Sequence, residues 1–220
     1  MSDSGRKQKS LSLVGMRISA LSWISLITTI ILNVRIIVFL TGGFDHFPHV
    51  TIVLFAMYFA FACSLFTLAR QSKFFIYSGI MLLLATSTDL LSWIGLWKYD
   101  MNIDHFIKVW PFCILFMPIF LALLSQGMMA IDKSPNDNLI HQWKRYRLTF
   151  IIIYAARFFL YQCAYALLGK NDLENGFSIN SIVLLYGALT VVCDLLSLWQ
   201  FFLLRNTVDE VKAYSEYSIK

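Results

Sequence analysis

The chain has 220 residues, of which 58% are hydrophobic and only 14% are charged. Soluble domains carry about 25% charged residues, and a chain this short cannot hide so much apolar surface from water. The composition therefore excludes an ordinary soluble protein. The formal charge of +5 does not indicate nucleic-acid binding, because the basic residues flank apolar blocks. We expect a multi-pass membrane protein that contacts the lipid bilayer and has no nucleic-acid partner.

The hydrophobic residues come in blocks of about twenty, the length that crosses about 30 Å of hydrocarbon as a helix. They predict an all-α fold with a basic N-terminal tail (residues 1–18, disordered over 1–10), a six-helix transmembrane domain (residues 19–204) and a mixed-charge C-terminal tail (residues 205–220). The six helices are predicted near Ser19–Leu40, Val50–Ala69, Phe74–Trp97, Phe106–Ile131, Leu148–Leu168 and Phe177–Leu204.

Two connecting segments and one proline constrain how these helices pack. Residues 70–73 form a very short polar turn, which predicts that the second and third helices are antiparallel neighbours. Residues 132–147 are the longest predicted loop. Pro118 lies inside the fourth helix and predicts a kink there, because proline removes a backbone hydrogen bond.

The distribution of lysine and arginine predicts the orientation. Of the 18 such residues, 13 lie on the side that holds both termini, 3 lie on the opposite side and 2 lie within helices. The positive-inside rule then predicts that both termini are cytosolic. We expect the endoplasmic reticulum or another endomembrane for a eukaryotic source, although a bacterial inner membrane fits these residues equally well.

A short sequence similarity predicts an internal repeat. Residues 63–70 resemble residues 163–170, and Asp89 then aligns with Asp194 if the second connecting loop has five extra residues. Helices 2 and 3 would thus repeat as helices 5 and 6 with inverted topology, as in many transporters. The alternative is a chance alignment of leucine-rich helices.

Four charged residues are predicted deep in the bilayer, where each needs a partner: Arg35, Asp89, Arg157 and Asp194. At 1.5 Å per residue, Arg35 and Asp89 both lie about 22–24 Å from the terminal side, and Arg157 and Asp194 lie about 13–15 Å from it. Depth therefore predicts two ion pairs, Arg35 with Asp89 and Arg157 with Asp194.

Two serines accompany these acids. Ser92 and Ser197 each follow an aspartate by one helical turn and face the same side, so they are placed to hydrogen-bond the acid or a neighbouring helix. Two interpretations of the four intramembrane charges remain open. They are structural salt bridges that fix helix order, or they line a path for an ion or substrate.

Four loop residues on the non-terminal side form the candidate metal site: His46 and His49 from the first loop, and Asp104 and His105 from the second. Three such ligands and a water suit zinc. Their spacing is not that of a helix-borne motif, and histidines solvated in loops are the alternative interpretation.

The chain has no nucleophile, phosphate-binding or dinucleotide-binding motif, and we expect no cofactor. The first function hypothesis is therefore a non-enzymatic accessory, assembly or scaffolding subunit that docks other membrane proteins through its helix faces. The second is a small transporter or channel that uses Asp89 and Asp194. The third is a metal-dependent lipid enzyme on the lumenal face.

Overall fold

The structure is a computed structural model of the whole chain. The structure describes the backbone of residues 3–40, 47–98, 103–131, 137–168 and 176–217. Within these ranges it describes all side chains except those of residues 3–10, 36, 39–40, 47–48, 92–98, 103–114, 161, 164–168, 176–184, 186–187, 190, 194 and 215–217.

The described part of the chain is all-helical, as its composition predicts, and contains no strand. Its elements are α1 (Asp3–Leu40), α2 (Phe47–Thr67), α3 (Phe74–Lys98), α4 (Ile103–Ile131), α5 (Asp137–Leu168) and α6 (Gly176–Tyr217). Four segments are long and apolar enough to cross a membrane: Leu11–Arg35, His49–Thr67, Phe74–Leu91 and Val191–Tyr214. These segments make the chain an integral membrane protein.

Three helices are longer than the sequence pattern predicts. α1 begins at Asp3, so the expected disorder over residues 1–10 is wrong from Asp3 onward. α5 begins at Asp137, inside the expected long loop. α6 continues to Tyr217, through most of the expected C-terminal tail. The extensions of α5 and α6 are amphipathic rather than uniformly apolar, because Trp143 and Val208 are buried whereas Lys144 and Asp209 are exposed. A search for apolar blocks therefore misses them.

The helices pack in a closed ring. The main contacts join each helix to the next along the chain, and α6 packs back onto α1. The start of α1 lies beside the end of α6, since a β-carbon at Gly15 would be 3.7 Å from Val211. We call the end of the ring that holds these two segments the terminal end. The short turn at residues 68–73 joins α2 to α3, which pack together as predicted.

The hydrophobic core of the described residues is concentrated toward the terminal end. All six helices contribute fully or nearly fully buried side chains there, including Ile18, Leu65, Phe75, Leu124, Trp143 and Leu204. Gly127 of α4 packs directly on the ring of Phe75, where a β-carbon would lie only 2.8 Å from Cε1. This glycine therefore sets how closely α3 and α4 approach.

The outer surface of the ring is apolar on every helix. Each helix exposes large hydrophobic side chains, among them Trp23, Ile27 and Ile30 on α1, Ile52 on α2, Leu84 on α3, Ile119 on α4, Ile152 on α5 and Leu195 on α6. A soluble bundle would carry polar residues on this surface, whereas lipid tails favour apolar ones. The exposed apolar side chains and the four candidate spans thus both indicate an integral membrane protein.

Candidate functional site

An ion pair joins α1 to α3 in the half of the ring away from the terminal end. Arg35 Nη1 donates to Asp89 Oδ2 at 2.8 Å, and Arg35 Nη2 lies 3.5 Å from Asp89 Oδ1. The two side chains are 12% and 20% exposed. The guanidinium fork therefore approaches both carboxylate oxygens, with one short and one long contact.

This pair bridges two helices that are not neighbours in the ring. α1 packs chiefly on α2 and α6, and α3 packs chiefly on α2 and α4. Both α1 and α3 run away from the terminal end, so the equal depth that the sequence predicts for Arg35 and Asp89 brings them level in the structure. The long arginine side chain spans the gap between the two helices. The pair fixes the distance between α1 and α3 in a part of the ring where few described core residues lie.

The second predicted pair is described on one side only. Arg157 of α5 places its guanidinium carbon 5.8 Å from the centre of the Tyr154 ring, one turn earlier on the same helix. Asp194 lies within α6, but its side chain is outside the described residues. The pairing of Arg157 with Asp194 stays a prediction.

The two predicted supporting hydroxyls differ in what the structure describes. Ser197 Oγ donates to the carbonyl of Cys193 on its own helix at 3.1 Å, so the single hydroxyl proton is used within α6. Ser92 lies within α3, and its side chain is outside the described residues.

The candidate metal ligands are largely outside the described residues. His46 precedes α2, and the side chains of Asp104 and His105 at the start of α4 are not described. His49 is exposed in the first turns of α2. Within the described residues, no group of three or more potential ligands comes together. The zinc site stays a prediction.

The chain matches no protein-family model, no curated protein and no solved structure.

The buried hydroxyl groups of the ring are mostly satisfied within their own helices. Thr29 donates to the Ser25 carbonyl at 2.9 Å, and Thr86 donates to the Leu82 carbonyl at 2.9 Å. An exception is Ser78, which donates to the Phe120 carbonyl at 3.1 Å and ties α3 to α4. Such bonds let polar side chains lie in the interior without water, because each donor already has an acceptor.

A row of aromatic residues on α5 was missed at the sequence level. Trp143, Tyr146, Phe150 and Tyr154 follow each other at ring-centre distances of 5.9, 5.9 and 4.3 Å, and Arg157 continues the row. Their spacing of three or four residues puts them on one helix face. This spacing is the signal that predicts a helix through residues 143–147.

Two side-chain hydrogen bonds fasten this row to α6. Trp143 Nε1 donates to Thr207 Oγ1 at 3.1 Å, and the Tyr146 hydroxyl donates to Gln200 Oε1 at 3.1 Å. Trp143 and Tyr146 are fully buried. Because the Trp143 indole N–H and the Tyr146 hydroxyl each have an acceptor on α6, the two bonds fix the register of α5 against α6.

Proposed function

We propose that this chain is a non-enzymatic accessory, assembly or scaffolding subunit that binds other membrane proteins through its lipid-facing helix surfaces. The observation that carries the proposal is the Arg35–Asp89 pair, in which two intramembrane charges neutralise each other. A closed pair stabilises the helix arrangement without needing a substrate. Most of the buried hydroxyls that the structure describes are likewise satisfied internally, and we assign recognition to the outer surface.

The proposed arrangement has six transmembrane helices with both termini in the cytosol, in the endoplasmic reticulum or another endomembrane. Four spans are supported by length and apolar composition. What supports α4 and α5 as spans is their place in the ring: α4 packs between α3 and α5, and α5 packs between α4 and α6. What supports the orientation is the excess of basic residues on the terminal side.

The outer face of α5 is the surface we assign to a partner helix. Leu148, Ile152 and Phe159 are strongly exposed on it, and Ala155 and Ala156 are exposed between them. Small side chains let a second helix approach closely within a membrane, where van der Waals packing drives association. Large apolar residues on either side of the alanines would flank that helix.

Purification in mild detergent from native membranes tests the proposal. We expect a membrane partner in constant stoichiometry with the wild-type chain. Ala156→Leu should reduce the yield of that partner at unchanged chain level, because the added volume keeps the second helix away. Ile152→Leu conserves volume on the same face and should leave the partner bound. A chain that purifies alone under all conditions would contradict the proposal.

A small transporter is the second candidate. What favours it is that Arg35 and Asp89 join two helices that are not ring neighbours, as a gate residue pair would. Asp89→Asn distinguishes the two functions: loss of transport of a test ion at normal chain level supports a transporter, whereas loss of chain level alone supports a structural pair. For the lumenal metal-dependent enzyme, elemental analysis for zinc is the direct test.

A further inference from the structure

The surface where α1 and α6 meet near the terminal end carries an arginine with few partners. Arg205 of α6 makes two contacts: Nη1 lies 3.5 Å from Ser19 Oγ, and the guanidinium carbon lies 5.9 Å from the centre of the Trp23 ring. Among the side chains that the structure describes, no carboxylate pairs with Arg205. A guanidinium has five N–H donors, so most of those of Arg205 have no hydrogen-bond partner among the described residues.

The other half-buried arginines described near this end, Arg17 and Arg147, are more fully engaged, whereas Arg70 and Arg145 are exposed. Arg147 donates to Gln126 Oε1 at 2.8 Å, and Arg17 donates to the Thr67 carbonyl at the end of α2. Both therefore tie one helix to another. Arg205 has only one long hydrogen bond, so its charge is more available to an external anion than the charges of Arg17 and Arg147.

Arg205 directly follows the sixth predicted span, Phe177–Leu204, and so lies at the membrane–water boundary that the sequence predicts. Phe202, one turn before it, is 58% exposed, whereas the first exposed residues after it, Asn206, Asp209 and Lys212, are polar. On α1, Trp23 is 52% exposed beside it. Tryptophan is enriched at the headgroup level of membranes because its ring is apolar and its N–H is polar. With the predicted spans Ser19–Leu40 and Phe177–Leu204, we place the seam between α1 and α6 (Ser19, Trp23, Phe201, Phe202 and Arg205) at the headgroup level.

Aromatic side chains form the membrane side of this seam. The Trp23 and Phe201 rings lie 6.1 Å apart across the α1–α6 contact, and Phe201 and Phe202 lie 5.2 Å apart. An acyl chain would pack along these rings, while the phosphate lies at the level of Arg205 and Ser19.

We propose that the α1–α6 seam, formed by Ser19, Trp23, Phe201, Phe202 and Arg205, binds the headgroup of an anionic phospholipid. The Arg205 guanidinium donates to the phosphate, Ser19 Oγ adds a hydroxyl contact, and the three aromatic rings cover the upper acyl chain. Charge complementarity selects the anionic lipid, since no described carboxylate competes for Arg205. The site is independent of which protein partner the chain binds.

The test is a lipid titration of the purified full-length chain in detergent, with bound lipid counted by native mass spectrometry. Wild type should bind one phosphatidylserine in preference to phosphatidylcholine. Arg205→Gln should weaken phosphatidylserine binding by about tenfold, the effect of losing charge-assisted hydrogen bonds. Arg145→Gln makes the same charge change at an exposed position on α5 and should leave the affinity unchanged.

Three outcomes would overturn the proposal. Equal losses in Arg205→Gln and Arg145→Gln would indicate diffuse attraction to the whole basic surface. An unchanged affinity in Arg205→Gln would exclude the site. Displacement of the lipid by inorganic phosphate at equal concentration would indicate a site for free phosphate. If Arg205→Gln does not fold, Trp23→Leu replaces it: reduced binding supports the seam, and wild-type binding contradicts it.

Discussion

Trp143 of α5 donates its indole N–H to Thr207 Oγ1 of α6 at 3.1 Å, and Thr207 in turn donates to the Leu203 carbonyl at 2.8 Å. Both side chains are almost completely buried. This relay lies in segments that the sequence pattern assigns to a loop and a tail. It indicates that the terminal end of the ring is a folded helical extension with its own core.

The Trp143–Thr207 bond should be measurable as a coupling energy. Thr207→Val removes the hydroxyl at nearly constant volume and leaves the indole N–H unsatisfied. We expect the free energy of unfolding in detergent to fall by about 1–3 kcal/mol. Trp143→Phe should make a further Thr207→Val change less harmful. Additive effects of the two substitutions would contradict a direct bond.

Three glycines should respond differently to alanine. Gly127→Ala places a methyl group 2.8 Å from Phe75 Cε1, and Phe75 is fully buried, so we expect a loss of about 1–3 kcal/mol. At Gly79 the opposing ring is Phe66, which is only partly buried and moves more easily. Gly15→Ala meets only ordinary contacts, so the higher helix propensity of alanine should leave stability unchanged or raised.

Thermal unfolding of the three variants checks this order. Gly127→Ala should have the lowest midpoint, Gly79→Ala should be intermediate and Gly15→Ala should match or exceed wild type. A Gly127→Ala protein as stable as wild type would mean that α3 and α4 do not approach as closely as described.

The C-terminal part of α6 should be required for stability. Val208 is completely buried within the core cluster, whereas Ala213 is exposed on the same segment. Val208→Asp buries a carboxylate and should lower the free energy of unfolding by at least about 2 kcal/mol. Ala213→Asp introduces the same charge on the surface and should be neutral. Limited proteolysis of the terminal segments gives the readout, and equal cleavage in both variants would contradict a folded extension.

The sequence predicts well those features that depend on long apolar blocks. The six helices, the α2–α3 turn and the matching depths of Arg35 and Asp89 all follow from apolar length and a constant rise per residue. The true starts of α1 and α5 and the true end of α6 do not follow, because these segments mix charged and apolar residues, as where Lys144 and Arg145 lie between Trp143 and Tyr146. Only the helical spacing of buried residues reveals such segments.

Side-chain partners were harder to predict than helix positions. Trp143 of α5 is fully buried, whereas Trp23 of α1 is 52% exposed, and the surrounding sequence does not distinguish the two. A one-dimensional pattern gives depth but not the direction that a side chain faces around its helix. That direction depends on the ring closure between α1 and α6, which no local sequence feature specifies.

The most direct test of the central claim, that Arg35 and Asp89 form a structural pair, is the charge exchange Arg35→Asp with Asp89→Arg. Each single reversal places two like charges together and should sharply lower both the amount of folded protein and its melting temperature in detergent. If the pair is structural, the double variant should recover most of both quantities and should still purify with the same partner. A double variant no better than the worse single reversal would contradict the account.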